Sequence, residues 1–398
     1  MRKRRGALAV TLGLILAAAL AGGGCGGAPS GSRASGLTTG AGARAASAYE
    51  GGPAEAAAAA LPLRGRVFFT RALEGPVVPG PVLTRDGSVL AASNGGVLHD
   101  LDPQTGADRW RFSGGSAYGN DVSTSPLVLD AGRLILWPGP RNTLFALAGS
   151  GRQLWSIQFG SQVLTPLRGP GSTVYVEEMD GMMRALRVGV GGASERWRVG
   201  VGTGSSYGSP ASGAGGLVYT TVGRDLVAVR DLGSRGEVAW RFAAQDDIEV
   251  SPAVATDGTV VLGTNDRFEY GVSPTGQERW RWPRGVLTYS SPAATADGSV
   301  RFGDHRGRLI TLRAASGQVE QVLQGHGEVW TRPAADAQGD TYWGTHAGEL
   351  WGFDPSGRVV LHQRTGGSVE SYPAVGQDAT VYIGSQDGRV WAVRAAAR

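Results

Sequence analysis

Residues 100–112 read DLDPQTGADRWRF and contain the pattern that decides the fold. A strand-like end leads into a turn over Asp-Pro-x-Thr-Gly, and a Trp stands four residues after the Gly. Asp, Pro and Gly each favour tight turns. The same spacing, or a close variant with Ala, recurs at Gly106 and Trp110, Gly151 and Trp155, Ala193 and Trp197, Gly236 and Trp240, and Gly276 and Trp280. The stretch is therefore one copy of a repeated hinge between two strands.

A proline marks the first strand of every repeat. It stands at Pro81, Pro126, Pro166, Pro210, Pro252, Pro292, Pro333 and Pro373, at intervals of 45, 40, 44, 42, 40, 41 and 40 residues. A second strand such as DGTVVLGT follows, usually after a Gly turn, and then a third such as GRLITLRA. A period of about 40 residues with several strands per unit is typical of a β-propeller blade.

The two ends of the repeated region complement each other. The eighth unit ends after its third strand, whereas residues 64–75, RGRVFFTRALEG, have the pattern of an outer strand without a unit of its own. Pairing these strands would complete the last blade and protect its edge. The sequence thus predicts an all-β fold, an eight-bladed β-propeller of four-stranded blades over residues 62–398, closed by its N-terminal and C-terminal strands.

Residues 1–25 have the features of an export signal. A basic start precedes an apolar run over residues 7–21, which is shorter than the roughly 20 residues that span a bilayer as a helix. The pattern favours a lipoprotein-type signal in which Cys25 is acylated. The alternative is cleavage after Ala21, which would leave Cys25 as a free thiol. Since Cys25 is the only cysteine, no intramolecular disulfide can form.

The segment that follows, residues 26–61, consists mostly of Gly, Ala, Ser and Pro and predicts a flexible tether. The formal net charge of +4 is carried by Arg2, Lys3, Arg4 and Arg5, so the rest of the chain is balanced. This balance gives no indication of nucleic-acid binding. The signal and the tether together predict an exported protein, anchored to a membrane by lipid on the periplasmic or extracellular side.

The repeat resembles the quinoprotein-type, or PQQ-like, tryptophan-docking repeat. The resemblance is carried by Leu101, Asp102, Thr105, Gly106 and Trp110, by SPAVATDGTVVLGT at 251–264 and by GSQDGRVWAVRA at 384–395. It covers essentially the whole predicted propeller. In such folds the Trp packs between neighbouring blades, which implies a structural role for Trp110, Trp155, Trp197, Trp240 and Trp280.

Two branches of this family bear on function. Quinone-dependent dehydrogenases hold pyrroloquinoline quinone and calcium on the axis and stack the quinone on a disulfide between adjacent cysteines. This sequence has one cysteine and no haem motif, so we expect no cofactor and no catalysis. The outer-membrane assembly lipoproteins of the BamB type share a signal with a Cys, a tether and a lone eight-bladed propeller. The resemblance to them implies a non-catalytic scaffold that binds partners through the loops of one face.

A candidate binding face emerges when the repeats are aligned on their prolines. The residue three before each Pro is aromatic or acidic in blades four to eight, at Tyr207, Glu249, Tyr289, Trp330 and Glu370. These loops lead from the outer strand of one blade to the inner strand of the next, near the central channel of a propeller. Aromatic residues are enriched where proteins bind. We interpret the five residues as a face for envelope proteins or extended peptide segments.

Three readings of function remain open from the sequence. The first is the scaffold of the cell envelope. The second is a quinone- and calcium-binding dehydrogenase-like protein. The third is a sensor or carbohydrate-binding module, whose aromatic mouth would stack on sugars. The histidines have no metal-ligand spacing, so we expect no metal site.

Overall fold

The computed structural model describes residue 58 and residues 61–116, 124–204 and 207–395. The predicted all-β, eight-bladed propeller is confirmed: the described strands form eight four-stranded antiparallel sheets. Two short 3-10 helices, Asp130–Gly132 and Ala214–Gly216, are the only helices whose bounds are described. None of the helices in these ranges has the length and apolarity needed to cross a membrane. The expected signal, Cys25 and most of the expected tether lie outside the described residues.

The strands are numbered in chain order, and each blade has one sheet. They are β1 (Arg66–Ala72); in blade one β2 (Val82–Leu83), β3 (Val89–Ser93), β4 (Val97–Leu101) and β5 (Asp108–Ser113); in blade two β6 (Leu127–Leu129), β7 (Leu134–Gly139), β8 (Thr143–Ala148) and β9 (Gln153–Gln158); in blade three β10 (Leu167–Arg168), β11 (Thr173–Glu178), β12 (Met182–Gly189) and β13 (Gly192–Gly200); in blade four β14 (Ala211–Ser212), β15 (Leu217–Val222), β16 (Asp225–Asp231) and β17 (Gly236–Ala243). They continue in blade five with β18 (Ala253–Val254), β19 (Val260–Gly263), β20 (Phe268–Val272) and β21 (Glu278–Pro283); in blade six with β22 (Ala293–Ala294), β23 (Ser299–Gly303), β24 (Arg308–Arg313) and β25 (Val319–Gln324); in blade seven with β26 (Ala334–Ala335), β27 (Thr341–Gly344), β28 (Glu349–Phe353) and β29 (Val359–Arg364); and in blade eight with β30 (Ala374–Val375), β31 (Thr380–Gly384) and β32 (Arg389–Arg394).

The first strands of the blades surround the propeller axis. The strands β14 and β18 contact each other, as do β18 and β22, and β26 and β30. The strand β2 of blade one contacts β30 of blade eight, so the ring is closed. In each of blades one to seven the later strands follow outward in sequence order.

Closure of the ring joins the two ends of the chain, as predicted. The strand β1 pairs antiparallel with β32, from Arg66 opposite Arg394 to Ala72 opposite Arg389. It thereby supplies the outer strand of blade eight. Each terminal strand therefore pairs within the propeller, and β32 has no unpaired edge.

Apolar side chains fill the spaces between adjacent blades. In one core cluster, Leu226 of blade four packs with Val260 and Leu262 of blade five, and all three are fully buried. Comparable clusters join other neighbouring blades. Alternating strand residues supply these contacts, because successive side chains of a strand point to opposite faces. The fold is thus held by packing from blade to blade, as in other repeat architectures.

The repeated Trp residues contact the next blade along the chain. Four indole Nε1 groups donate hydrogen bonds to backbone carbonyl oxygens: Trp110 to Gly149 at 2.9 Å, Trp155 to Gly189 at 2.8 Å, Trp240 to Pro274 at 2.9 Å and Trp280 to Ala314 at 2.7 Å. Trp197 donates to the Asp231 carboxylate at 2.9 Å. In blade six, Gln321 stands in place of the Trp and donates to the carbonyl oxygen of Pro355 at 3.2 Å. The hinges are therefore connections between blades.

A β-bulge directs each of these side chains. In blade one the register shifts between the pairs Asp100–Trp110 and Leu101–Asp108, which leaves Arg109 as the extra residue. The equivalent shift in blade eight makes Phe68 the extra residue and places Phe69 at the Trp position. A bulge locally increases strand twist and redirects a side chain. The outer strand can therefore present one ring to the next blade.

Candidate functional site

The loops between blades form a mouth around one cavity. All five residues of the predicted binding face line this cavity, which has a volume of about 350 Å³. The lining residues from that face are Tyr207, Glu249, Tyr289, Trp330 and Glu370. We use the name mouth for this cavity and these five residues. The carboxylates of Glu249 and Glu370 border the same cavity although they come from blades five and eight, because the loops converge on the axis.

The mouth is asymmetric around the axis. At the equivalent position, blade one contributes Val78 to the cavity, whereas Val163 of blade three is buried away from it. The equivalent residue of blade two, Ser123, lies outside the described part of the chain. Tyr207 is the most exposed of the five, with 52% of its surface accessible, and the other four are half-buried. Aromatic and acidic groups thus lie on the side of the mouth formed by blades four to eight.

Buried hydroxyl groups hold the mouth loops in place. In blades six to eight, the residue two before the repeat Pro accepts a hydrogen bond from the amide of a Gly at the end of the second strand. The pairs are Ser290 with Gly303 at 2.9 Å, Thr331 with Gly344 at 2.9 Å and Ser371 with Gly384 at 2.7 Å. Buried hydrogen bonds of this kind fix the backbone because breaking them leaves polar groups unsatisfied. These contacts therefore fix the backbone beside Tyr289, Trp330 and Glu370.

Further hydrogen bonds connect some of the mouth loops to the next loop. The amide of Ser209 donates to the hydroxyl of Ser251 at 2.9 Å, and the amide of Ser251 donates to the hydroxyl of Ser291 at 3.0 Å. Ser125 and Thr165 form the same contact at 3.2 Å. Ser or Thr directly before the repeat Pro thus links neighbouring blades around the mouth.

Four mouth residues have a partner sixteen positions later in the same blade. Glu249 accepts a hydrogen bond from the Asn265 amide at 3.2 Å, and Glu370 accepts one from Gln386 at 3.0 Å. The two aromatic pairs have ring centroids 5.3 Å apart for Tyr289 and His305, and 4.4 Å apart for Trp330 and His346. The prediction missed these partners, although their constant spacing, from the loop to the end of the second strand, was a usable signal.

The aromatic groups of blades six and seven form one cluster. The rings of Tyr289 and Trp330 meet edge to face with centroids 4.8 Å apart, and His305 lies parallel to Trp330 at 6.1 Å. The Trp330 Nε1 donates to the Glu328 carboxylate at 3.0 Å. Edge-to-face contacts and hydrogen bonds both favour one ring orientation. Trp330 is therefore held in a defined position at the mouth.

Burial shifts the pKa of two members of this cluster toward their uncharged forms. Burial raises the pKa of Tyr289, and the carboxylates of Glu249 and Glu328 raise it further. Burial also lowers the pKa of His305, against the opposing effect of the Glu328 and Asp304 carboxylates. Desolvation disfavours the charged form in each case. Burial thus favours the neutral form of both rings.

The charged groups in the mouth are acidic. Among its described lining residues, Glu249 and Glu370 are the charged ones, and none is Lys, Arg or His. Arg332, by contrast, lines a neighbouring cavity of about 690 Å³ that shares Tyr372 with the mouth. Tyr372 extends across this region, and its hydroxyl is 3.3 Å from that of Ser291. Tyr372 thus borders both the acidic mouth and the cavity that Arg332 lines.

The mouth does not fit the quinone cofactor of the dehydrogenase branch. Pyrroloquinoline quinone is a tricarboxylate, so Glu249 and Glu370 would repel it without a basic group to compensate. The stacking disulfide cannot form from one cysteine. Within the described ranges, no three His, Cys, Asp or Glu side chains cluster so as to hold a metal ion. The arrangement can bind through charge, hydrogen bonds and ring faces.

The chain matches a known protein family over most of the propeller. A family model described as "Outer membrane protein assembly factor BamB" matches residues 93–193 and 189–397, which is most of the propeller. The crystal structure of BamB from Moraxella catarrhalis has a TM-score of 0.62 and 16% identity, and the match covers 83% of this chain and 99% of that one. At this identity the structural match is evidence for the fold alone.

Two curated relatives align with about three fifths of the chain. The serine/threonine-protein kinase AfsK of Streptomyces griseus is 30% identical over 268 residues, which are 62% of this chain and 32% of the kinase. The outer membrane protein assembly factor BamB of Burkholderia pseudomallei is 23% identical over 270 residues, 61% of this chain and 65% of that protein. The chain thus spans about a third of the first relative and just under two thirds of the second.

Proposed function

Because this chain belongs to the family of the outer membrane protein assembly factor BamB, we propose that it is a non-catalytic scaffold of the cell envelope that binds other proteins at the mouth. The partners would be envelope proteins, engaged through extended segments. The observation that carries this proposal is the convergence of the five mouth residues, from five consecutive blades, on one cavity.

Rigid presentation of the mouth is the mechanism. The hydroxyl contacts of Ser290, Thr331 and Ser371 fix the loops before a partner arrives. Binding to a preorganised surface costs less conformational entropy than binding to loops that must first become ordered. A scaffold of this kind needs no change in blade arrangement when it binds.

Export and lipid attachment are the second part of the proposal. Residues 1–25 have a basic start, an apolar run and Cys25, and residues 26–61 are rich in small residues. We infer that acylated Cys25 holds the propeller at a membrane on the periplasmic or extracellular side. Mass spectrometry of the purified mature protein would test this, since a Cys25→Ala variant should lose the lipid mass and the membrane association together.

In-cell crosslinking followed by purification tests the scaffold role. The full-length protein is compared with a variant carrying alanine at Tyr207, Glu249, Tyr289, Trp330 and Glu370, after thermal unfolding has shown that the variant folds. A control carries Val190→Ala and Leu232→Ala, two exposed residues in hinges between third and fourth strands. We expect envelope proteins to co-purify with the wild type and the control and to be lost from the mouth variant. Retention of every partner by the mouth variant contradicts the proposal.

A sensor or carbohydrate-binding module is the second candidate. It is favoured by the rings of Tyr207, Tyr289 and Trp330 at the cavity, since aromatic faces can stack on sugars. A glycan-binding screen distinguishes it from the scaffold. Saturable binding that is lost in Trp330→Ala would favour the module. The quinone- and calcium-binding alternative would instead require saturable quinone binding with calcium, or dye-linked alcohol oxidation.

A further inference from the structure

The size of the mouth limits what can enter it. Its volume of about 350 Å³ is at the lower end of the range for small-molecule sites, roughly 300–1,000 Å³. This space accepts a side chain or a short piece of extended chain and excludes a folded domain. The chemistry of the lining then decides which side chain a partner would insert.

The carboxylates of the mouth have neutral partners. Glu249 is contacted by Asn265, and Glu370 by Ser368 at 3.1 Å and Gln386 at 3.0 Å. The ion pairs of the described residues include neither of these two glutamates. Amide and hydroxyl donors orient a carboxylate without cancelling its charge. Both groups therefore retain their negative charge toward the cavity.

The aromatic groups complement these carboxylates. The ring of Trp330 is oriented by its contacts with Tyr289 and His346 and by the hydrogen bond to Glu328. The negative face of an aromatic ring attracts a cation, and Trp is the strongest of the aromatic side chains in this respect. No Lys, Arg or His occurs among the described lining residues, although His305 and His346, which do not line the cavity, contact the rings of Tyr289 and Trp330. Charge and ring faces thus favour the same kind of occupant.

We propose that the mouth binds a cationic side chain, above all the guanidinium of an arginine carried by an extended segment of the partner. A guanidinium is planar, stacks on aromatic rings and donates paired hydrogen bonds to carboxylates, whereas an ammonium acts as a compact point charge. The cavity between Trp330, Glu249 and Glu370 offers both kinds of contact. This inference rests on the scaffold function proposed above and names the group that the scaffold recognises.

Two capped pentapeptides test the inference on the full-length chain. One is Gly-Ser-Arg-Ser-Gly, and the other has citrulline, the neutral isostere of arginine, at its centre. Binding is measured by calorimetry and by Trp fluorescence at low and high salt. We expect the citrulline peptide to bind at least about 10-fold more weakly, as the combined loss of a cation–π contact and a charged hydrogen bond implies. The arginine peptide should also weaken as salt rises. Equal binding of the two peptides, or binding of neither, overturns the inference.

Isosteric variants locate the interaction. Glu249→Gln and Glu370→Gln remove one charge each and should each weaken the arginine peptide by about 3- to 10-fold, without changing the citrulline peptide. Arg332→Gln is the matched control, because this residue lines the neighbouring cavity. It should leave arginine binding unchanged or strengthen it slightly. Unchanged arginine binding in both glutamine variants contradicts the proposal.

The two proposals can fail separately. If envelope proteins co-purify through the mouth while the two peptides bind alike, the scaffold function stands and the cation inference is wrong. If the arginine peptide is preferred while no protein co-purifies, the scaffold function is wrong and the mouth binds a free cationic small molecule. Competition between methylguanidinium and the arginine peptide then tests whether the mouth binds a free cationic small molecule.

Discussion

The indole of Trp110 lies against the backbone of Gly151 in the next blade, and a Cβ placed on Gly151 would come within 2.5 Å of the ring. The Nε1 of Trp110 also donates to the carbonyl oxygen of Gly149. The same packing of an indole on a glycine of the next blade joins Trp197 to Gly236, Trp240 to Gly276 and Trp280 to Gly317. The Gly and the Trp of one hinge therefore serve two different contacts, one with each neighbouring blade.

Substituting this glycine should destabilise the propeller through a steric clash. Gly151→Ala introduces a Cβ at the indole of Trp110, and overpacking of this kind costs about 1–3 kcal/mol. Gly87→Ala is the matched control, because Gly87 has a φ of +82°, close to the +79° of Gly151, and open space where its Cβ would be. Both variants share the left-handed backbone strain of about 1–2 kcal/mol. Denaturant unfolding should show a larger loss of unfolding free energy for Gly151→Ala than for Gly87→Ala. Equal losses would contradict the packing of Trp110 on Gly151.

Closure of the ring should depend on Phe69. This residue takes the Trp position of blade eight and packs on Gly106 of blade one, with Tyr382 at 6.3 Å between ring centroids. Phe69→Ala should lower the free energy of unfolding by about 2–3 kcal/mol, less than for a fully buried phenylalanine.

The adjacent phenylalanine provides the control for this prediction. Phe68 is exposed beside Arg394, whose guanidinium is 4.3 Å from the ring centroid. Phe68→Ala should therefore cost about 1 kcal/mol or less, the size of an exposed cation–π contact. Thermal unfolding of the two variants decides the matter. A larger loss for Phe68→Ala than for Phe69→Ala contradicts the assignment of the closing contact.

A buried ion pair should make stability depend on pH. Glu269 and Arg284 have no exposed side-chain surface, and their charged atoms are 2.6 Å apart. Burial raises the pKa of Glu269 from its ordinary value of 4.5 to about 7, against the opposing effect of Arg284. The folded state then holds a proton that the unfolded state releases between these values, so this contribution to stability falls as pH rises from 4.5 to 7.

Comparison with Glu269→Gln isolates that contribution. The difference in unfolding free energy between wild type and Glu269→Gln should decrease by on the order of 3 kcal/mol as pH rises through this interval. Denaturant titrations at several pH values measure it. A difference that is constant with pH, or one that increases, contradicts the raised pKa.

Removing the arginine of the pair should be more damaging at neutral pH. Arg284→Met leaves the Glu269 carboxylate without its basic partner in the interior, which costs about 3–5 kcal/mol. The same guanidinium donates to the backbone carbonyl oxygens of Phe268 and Thr264, at 3.0 Å and 2.7 Å. Urea unfolding at pH 5 should show a smaller loss than at pH 7.5, because a protonated Glu269 needs no counter-charge. An equal loss at both pH values would show that the backbone contacts dominate.

The fold could be predicted because each local sequence pattern occurs in several repeats. The repeat prolines, the hinge pattern and the outer-strand pattern at 64–75 were sufficient for the blade number and the closure. The sequence could not show that Trp110 packs on Gly151, because the spacing within a hinge associates it with Gly106. Contacts between blades depend on how the sheets are placed around the axis, which no local pattern encodes.

The lining of the candidate site was predicted in part for the same reason. Alignment on the prolines placed the five mouth residues at one position of the repeat, and this position faces the cavity in blades four to eight. The supporting residues, which lie in a different loop, after the second strand of each blade, were not predicted from the sequence. Their contacts with the mouth depend on the folded arrangement of the two loops. They are Asn265, His305, His346 and Gln386. The buried pair of Glu269 and Arg284 was not predicted, although Glu349 and Arg364 of blade seven pair at the same spacing of fifteen residues.

Site-specific photocrosslinking in living cells tests the central claim most directly. A benzophenone amino acid replaces Tyr207, the most exposed ring of the mouth, or Leu232, an exposed residue in the hinge between β16 and β17 of the same blade. We expect irradiation to attach a discrete envelope protein at position 207 and not at position 232. When the same variant is irradiated in membrane extracts, an excess of the arginine peptide should reduce the amount of that product. No product at position 207, or equal products at both positions, would contradict binding at the mouth.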